Sequence, residues 1–386
     1  MQSTVCLPLM RRCTNPIAFL FRRTETALAA VIIVVSAVFS LASPYFLTLS
    51  NATDLIEANS VTTILAAGVF VVLVSGGIDI SFAAVASVTQ YVAALMATRY
   101  DWPVLPTVGL ACALGVTLGI INALLTYYLR VVSIIVTIAT SSIYYATLIY
   151  VTGGTEIYNL PDWWTNRIIF FQTKTASGDV ARITLPMLIM VAVVLMTHLL
   201  MTRTRAGRQI YAFGGNPEAA SRIGIKILPL QMHVYGYLGF LAGLAGFVQA
   251  HRVHQAVPTA MFGTELNVVT VAILGGASLV GGVGSMGGVI LGVLLLAILQ
   301  NGLNLLGVSY FFGVVVGLTI LISISVTGYA EQRISLRRRP ETLGRTKRLS
   351  PSCAPGGLST RHSIGWWQPF APAAVIWSDC YSCWEA

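Results

Sequence analysis

The sequence predicts an all-α polytopic membrane protein of about ten transmembrane helices, and three observations carry that prediction. Of its 386 residues, 56% are hydrophobic and 10% charged, with a mean hydropathy of +0.78, whereas a soluble domain carries roughly 25% charged residues. The apolar runs reach the ~20 residues that one helical crossing of a bilayer needs. Runs such as Val31 to Val35 lack the alternation of a transmembrane barrel strand.

In chain order, a short basic arm (1–24) holds Arg11, Arg12, Arg22 and Arg23. A hydrophobic body (25–328) follows, with spans read at 25–43, 53–75, 81–98, 103–128, 132–152, 183–201, 233–251, 264–281, 285–306 and 310–327. A cleaved signal peptide over 28–43, ending near Leu41-Ala42-Ser43, is the alternative for the first span, but nine further anchors come after it. Glycines four residues apart (Gly115/Gly119, Gly239/Gly243, Gly284/Gly288/Gly292, Gly313/Gly317) predict close helix packing in lipid. In the loop Gly153 to Ala181, Trp163 and Trp164 read as anchors at the lipid interface, with a lid or docking surface as the alternative. The tail (329–386) has a different composition, holding four of the seven tryptophans and three of the six cysteines. Its Cys380-x-x-Cys383 spacing would need two further ligands for zinc, so the tail reads as disordered or non-native. Cys6, Cys13 and Cys112 are scattered and imply no disulfide framework.

Counting Lys and Arg sets the orientation. With the N-terminus inside, the inner segments up to Arg339 hold fourteen, and the outer loops hold only Arg99, Arg167, Lys174, Arg182 and Arg252. Positive charge favours the cytoplasmic side, so both termini and the polar loop 203–229 are expected there. The net charge of +9 therefore reports topology and gives no ground for a nucleic-acid partner.

The loop 203–229 interrupts an otherwise apolar chain and predicts a short helix. Asn216 suits an N-cap, Pro217 the first helical position and Glu218 the positive end of the dipole, while Gly224 can end the element. A plain connector would not need Gly214, Gly215 and a cap around it. Glycine-broken segments also occur in both halves: Ser75-Gly76-Gly77-Ile78-Asp79-Ile80-Ser81 and Leu274-Gly275-Gly276-Ala277-Ser278-Leu279. Such pairs can mark a translocation path.

Here several motifs agree in order. The run Gly214 to Ile225 resembles the EAA-type coupling loop of ATP-binding-cassette importer permeases, in the branch that takes up ribose, xylose, arabinose and related sugars. Gly76 to Ser81 resembles that branch's GGIDLS motif, Val136 to Thr140 its IVTLGT segment and Leu274 to Ser285 its LGGxSLxGGxGS segment; Gln300 to Gly307 matches QNGLNLLG. The resemblance covers roughly residues 25–330. Phe82-Ala83 stands where the branch has Val-Gly, a change expected to stiffen the turn, and the tail beyond about 335 has no counterpart.

The resemblance implies a permease subunit that translocates a monosaccharide. Gly215, Asn216, Glu218, Ala219, Ala220 and Gly224 would couple it to ATPase subunits, with the Ala219-Ala220 face entering a groove on that partner. It further implies a second permease copy or homologue and an extracytoplasmic sugar-binding protein, with ATP and Mg bound by the ATPase and no cofactor on this chain. A Gly-Lys pair, which a P-loop requires, occurs nowhere in the sequence. Gly282-x-Gly284-x-x-Gly287 lacks a βαβ context and His251-x-x-His254 lacks a third ligand, so neither supports an enzyme.

Six polar residues within the body are candidates for the path or for helix packing. Asp79, the sole carboxylate between Glu57 and Asp101, reads as a capped helix start, with sugar contact as the alternative. Gln300, Asn301 and Asn304, with Asn122 and Asn267, are either interhelical glue or partners for hydroxyl groups, since amides both donate and accept. A secondary transporter driven by an ion gradient through Asp79 is the alternative function.

Overall fold

The computed structural model describes residues 24–166, 168–174 and 180–311, together with 313, 314, 317, 318 and 321. The elements are α1 (Thr24–Ala42), α2 (Leu49–Ala58), α3 (Ser60–Val74), α4 (Phe82–Arg99), α5 (Val104–Leu129), α6 (Ser133–Thr152) and α7 (Asp162–Thr165). A hairpin β1 (Ile169–Lys174) and β2 (Val180–Thr184) leads to α8 (Leu185–Arg203), α9 (Arg205–Gly215), α10 (Pro217–Arg222), α11 (Ile227–Val253), α12 (Glu265–Leu274) and α13 (Met286–Leu305). Among the described residues six helices are long and apolar enough to cross a membrane: α1, α5, α6, α8, α11 and α13. The pair α2–α3 makes a seventh if its 47° bend at Asn59 is counted as one broken span.

Four predicted spans differ from what forms. The span 81–98 forms α4, which is not among the helices apolar enough to cross a membrane. The span 53–75 is that bent pair. The span 264–281 contains only the ten-residue α12, because Gly275 and Gly276 end the helix. The span 310–327 lies largely outside the described residues, as do the N-terminal arm before Thr24 and the tail with Cys353, Cys380 and Cys383. The hairpin is an addition to the all-α prediction, with β1 and β2 paired antiparallel. α11 begins at Ile227, earlier than the expected 233, since Pro229 falls in the first turn where its missing N–H is harmless.

α11 is the hub, packed against α5, α4 and α3. Its crossing with α5 is made by the predicted glycines. A Cβ on Gly115 would meet the Gly239 carbonyl, one on Gly239 the Gly115 carbonyl, one on Gly119 the Tyr235 carbonyl and one on Gly243 the Ala111 carbonyl. In lipid, where apolar side chains gain nothing by leaving their surroundings, such backbone approach is what holds helices together. Gly288 and Gly292 serve α13 in the same way against Gly275 and Val271, whereas Gly313 and Gly317 have nothing near them.

A second, smaller apolar cluster joins α1 to α13 through Ile32, Phe39, Phe46, Leu295 and Ile298. Gly302 belongs to this contact, because the Phe39 ring lies where a Cβ would be. At the opposite end of the pair Ser285 caps α13, accepting from Gly288 N at 3.0 Å and donating to Glu25 at 2.5 Å.

Trp164 does not anchor at a lipid interface. It is fully buried, stacked on Phe247 at 4.8 Å, and its indole N–H donates to the Phe247 carbonyl at 3.2 Å. Trp163 stacks on Trp164 at 5.4 Å, so the pair plugs the bundle at the end that carries the hairpin.

Candidate functional site

At the end of the bundle carrying α9 and α10, two helices stop in the same way. After α3, Gly76 N bonds to Leu73 O (2.9 Å) and Gly77 N to Val72 O (3.1 Å); after α12, Gly276 N bonds to Ile273 O (2.8 Å) and Ala277 N to Ala272 O (3.1 Å). Gly76 and Gly276 have φ of +81° and +86°. These are two Schellman caps, each needing a residue without Cβ at the left-handed position. The glycine echo between the halves is thus a shared backbone geometry.

The chain after the first cap is irregular, and irregular backbone at membrane depth must find partners inside the protein. α6 supplies them. Ser133 Oγ accepts from Ile78 N (2.9 Å), and Thr137 Oγ1 accepts from Ile80 N (3.2 Å) and donates to Ile78 O (3.3 Å). The Gly76–Ser81 and Val136–Thr140 motifs are therefore two parts of one structure. Phe82 and Ala83 lie beyond the turn, buried in α4, so the departure there falls on the helix and leaves the turn unaltered.

Asp79 does not cap α4. Its Oδ1 accepts from Ser81 N (2.7 Å) and Ser81 Oγ (2.6 Å), one residue before the helix begins. Asn122 donates to Ser81 Oγ (2.6 Å) and accepts from Tyr144 Oη (3.3 Å). Asp79, Ser81 and Asn122 are all buried, so this is a closed knot tying α4, α5 and α6 around the break.

α9 runs into the same place. Thr204 closes α8 and caps α9, with Gly207 N donating to its Oγ1 at 3.0 Å. At the other end, a Cβ on Gly214 would collide with the Val74 carbonyl, and Gly282 N already donates to that oxygen at 2.8 Å. Gly281 lies against Gly76 and Gly214, and Gly282 against Gly215. Tyr211 Oη donates to Gly284 O at 2.8 Å, and burial raises its phenol above the ordinary value, which keeps the donor protonated. Three stretches of backbone thus meet at glycines: the end of α3, the end of α9 and the turn before α13.

α10 follows directly. Asn216 Oδ1 accepts from Ala219 N at 3.0 Å, and Gly224 (φ +87°) ends the helix in a further Schellman cap. The expected Ala219-Ala220 face is divided: Ala220 is buried against the core, while Ala219, Glu218 and Gly215 are exposed. The apolar side chain on the outer surface is Ile223, 74% exposed, which the sequence reading missed because it lies beyond the capped turn. Glu218 and Arg222 sit 3.9 Å apart on that surface, both 81% exposed, a pairing too solvated to hold the helix by itself.

At the hairpin end lies a cavity of about 460 Å³ between α2–α3 and α12–α13. Asp54, Asn59 and Thr62 line one wall, Asn267, Gln300, Asn301 and Asn304 the other, and Val268, Val271, Val293 and Leu296 are among its apolar residues. A pocket of about 240 Å³ shares Asp54, Ala58 and Arg252 with it and adds Glu57, His251 and His254. His251 Nδ1 donates to the Trp164 carbonyl at 2.5 Å, and among the described residues no group of three His, Cys, Asp or Glu could hold a metal. The six predicted path residues therefore separate: Asp79 and Asn122 belong to the buried knot, and Asn267, Gln300, Asn301 and Asn304 to the cavity. Asn51, which pairs with Asn301 through Nδ2–Oδ1 bonds of 3.1 and 2.9 Å, gave no signal at a separation of 250 residues.

A family model described as "Branched-chain amino acid transport system / permease component" matches residues 51–324. The ribose import permease protein RbsC of Escherichia coli (strain K12) is 34% identical over 280 residues, 70% of this chain and 83% of that protein. The galactose/methyl galactoside import permease protein MglC of the same strain is 31% identical over 297 residues, 73% and 87% of the two chains. Its D-allose transport system permease protein AlsC is 32% identical over 268 residues, 69% and 79%. No solved structure matches the chain.

Proposed function

We propose, since this chain belongs to the branched-chain amino acid transport system / permease component family, that it is the membrane-spanning permease subunit of an ATP-driven importer that carries a monosaccharide into the cytoplasm. The relatives named for ribose, galactose and allose supply the substrate class. ATP and Mg are bound by separate ATPase subunits, an extracytoplasmic binding protein delivers the sugar, and a second permease copy or homologue completes the complex. The chain lies in the inner membrane in about ten spans, with α4 and α12 counted among them and both termini and the 203–229 loop in the cytoplasm.

The observation that carries this reading is the contact of α9 with the end of α3 and with the 281–284 turn before α13. A force applied to α10 passes through Gly214 and Gly215 to the end of α3 and to the 281–284 turn with no flexible side chain between. α10 is the coupling helix: it presents Gly215, Asn216, Glu218 and Ala219, with Ile223, to the ATPase, Ala220 seats it on the core and Gly224 ends it. The knot of Asp79 and Asn122 packs the helices around the break, and the solute's route runs through the amide-lined cavity.

Removing residues 217–223 in the assembled transporter is expected to leave membrane insertion intact and to abolish sugar-stimulated ATP hydrolysis in proteoliposomes. Stimulation at the wild-type level would sink the coupling role.

A further inference from the structure

We propose that the base of the β1–β2 hairpin is a lipid anchor, in which Phe170 and Phe171, with Ile168, Ile169 and Ile183, sit at the boundary between acyl chains and phospholipid headgroups. The assignment needs only that the chain spans a bilayer, so it stands or falls apart from the importer reading.

Depth follows from α8. It holds 19 residues, about 28 Å at 1.5 Å per residue, against a hydrocarbon core of roughly 30 Å. Its first residue therefore stands at one edge of the core and Arg203 at the other. That first residue, Leu185, donates its N–H to the Ile168 carbonyl at 3.2 Å, and Thr184 pairs with Ile169 across the strands. The start of β1 is thus level with the edge of the hydrocarbon. The exposed apolar face of α8 begins next to it, at Leu188 and Val191.

Polarity along the hairpin agrees with that depth. Ile168, Ile169, Phe170 and Phe171 are successive apolar residues and all are exposed, the two rings at 58% and 60%. Left in water, such a run would be an aggregation liability. Ile183, the cross-strand partner of Phe171, is exposed as well. One step further from α8 the pairs change character: Gln172 faces Arg182, and Lys174 faces Val180. The hairpin is apolar where it joins α8 and carries its cations beyond, where headgroup phosphates lie.

A protein partner would cover one face of the strand, since successive strand residues point to opposite faces. Here the register shifts between Ile169 and Phe171, leaving Phe170 as an extra residue without a cross-strand partner, and the bundle shelters no member of the run. A fluid that surrounds the strand accounts for all of them. The anchoring role that the sequence suggested for Trp163 and Trp164 passes in this way to the next segment, while Trp164 is drawn into the bundle.

The test uses the full chain in proteoliposomes of phosphatidylethanolamine and phosphatidylglycerol. Its six native cysteines are replaced by serine, and a nitroxide spin label is attached to Phe170→Cys, Phe171→Cys, Lys174→Cys or Ile183→Cys. Power-saturation electron paramagnetic resonance compares collisions with oxygen, which concentrates in lipid, and with a water-soluble nickel chelate. Oxygen is expected to dominate at 170, 171 and 183 and the nickel chelate at 174. Combining Phe170→Ser with Phe171→Ser should shift the label at 183 towards water, whereas Phe170→Leu with Phe171→Leu should keep it in lipid. Nickel dominance at 170, 171 and 183 as strong as at 174 overturns the anchor and leaves the apolar run open to a protein partner. An unchanged signal at 183 in the double serine variant also overturns it, because α8 alone would then set the depth.

Discussion

The two ends of this molecule are built from opposite materials. At the hairpin end, long amide side chains surround an open volume and three of them are unspent. At the loop end, three backbone segments meet at glycines with no side chain between them and no room for one. Space and free hydrogen-bonding capacity suit a solute that must enter and leave. Direct backbone contact suits the transmission of displacement, because a close-packed junction repacks in discrete steps and yields little to gradual strain.

The largest effect should come from filling the junction. Gly214→Val would drive a branched side chain into the Val74 carbonyl and the Gly282 amide, an overpacking cost of roughly 3 kcal/mol or more. Uptake and sugar-stimulated ATPase activity should both be lost, along with a fall in the thermal unfolding midpoint; uptake retained in proteoliposomes would refute the contrast between the two ends. A smaller loss is expected from Asp79→Leu, which strands the Ser81 N–H and hydroxyl, at about 1–3 kcal/mol per buried group. Asp79→Asn keeps an oxygen acceptor and should keep most transport and stability, whereas a carrier that moves ions through Asp79 would stop. The mildest change is Asn51→Ala or Asn301→Ala. Either breaks the same two hydrogen bonds, worth about 1 kcal/mol each, and Asn51→Ala also loses the bond that Asn51 Nδ2 donates to the Phe46 carbonyl at 2.8 Å, so in thermal unfolding the double substitution should cost little more than Asn51→Ala alone; additive losses would mean the pair is not the unit.

Much of this contrast was legible in the sequence, and the reason differs by region. Helices and glycine crossings follow from apolar run length and four-residue spacing, which are local properties, and α5–α11 formed as that spacing required. Capping chemistry located α10 and its end at Gly224. What escaped were contacts between distant residues: the support of Ile78 and Ile80 by Ser133 and Thr137, the Asn51–Asn301 pair, and the burial of Trp164. A tryptophan in a loop carries no mark distinguishing a lipid anchor from a plug. The six polar candidates looked alike for the same reason, since an amide's role depends on whether a partner has already engaged it.

The small cluster joining α1 to α13 bears on how the chain is made. α1 is an early helix to leave the ribosome, yet the surface that receives Phe39 and the serine that meets Glu25 lie beyond everything from Leu49 to Gly284. At roughly 5–20 residues per second, α1 waits on the order of 10–50 s in lipid before its partner is synthesised. During that interval its apolar surface must be satisfied by acyl chains or by the insertion machinery. Among the described elements this pairing is thus one of the latest that can form, because it joins helices separated by most of the order of synthesis.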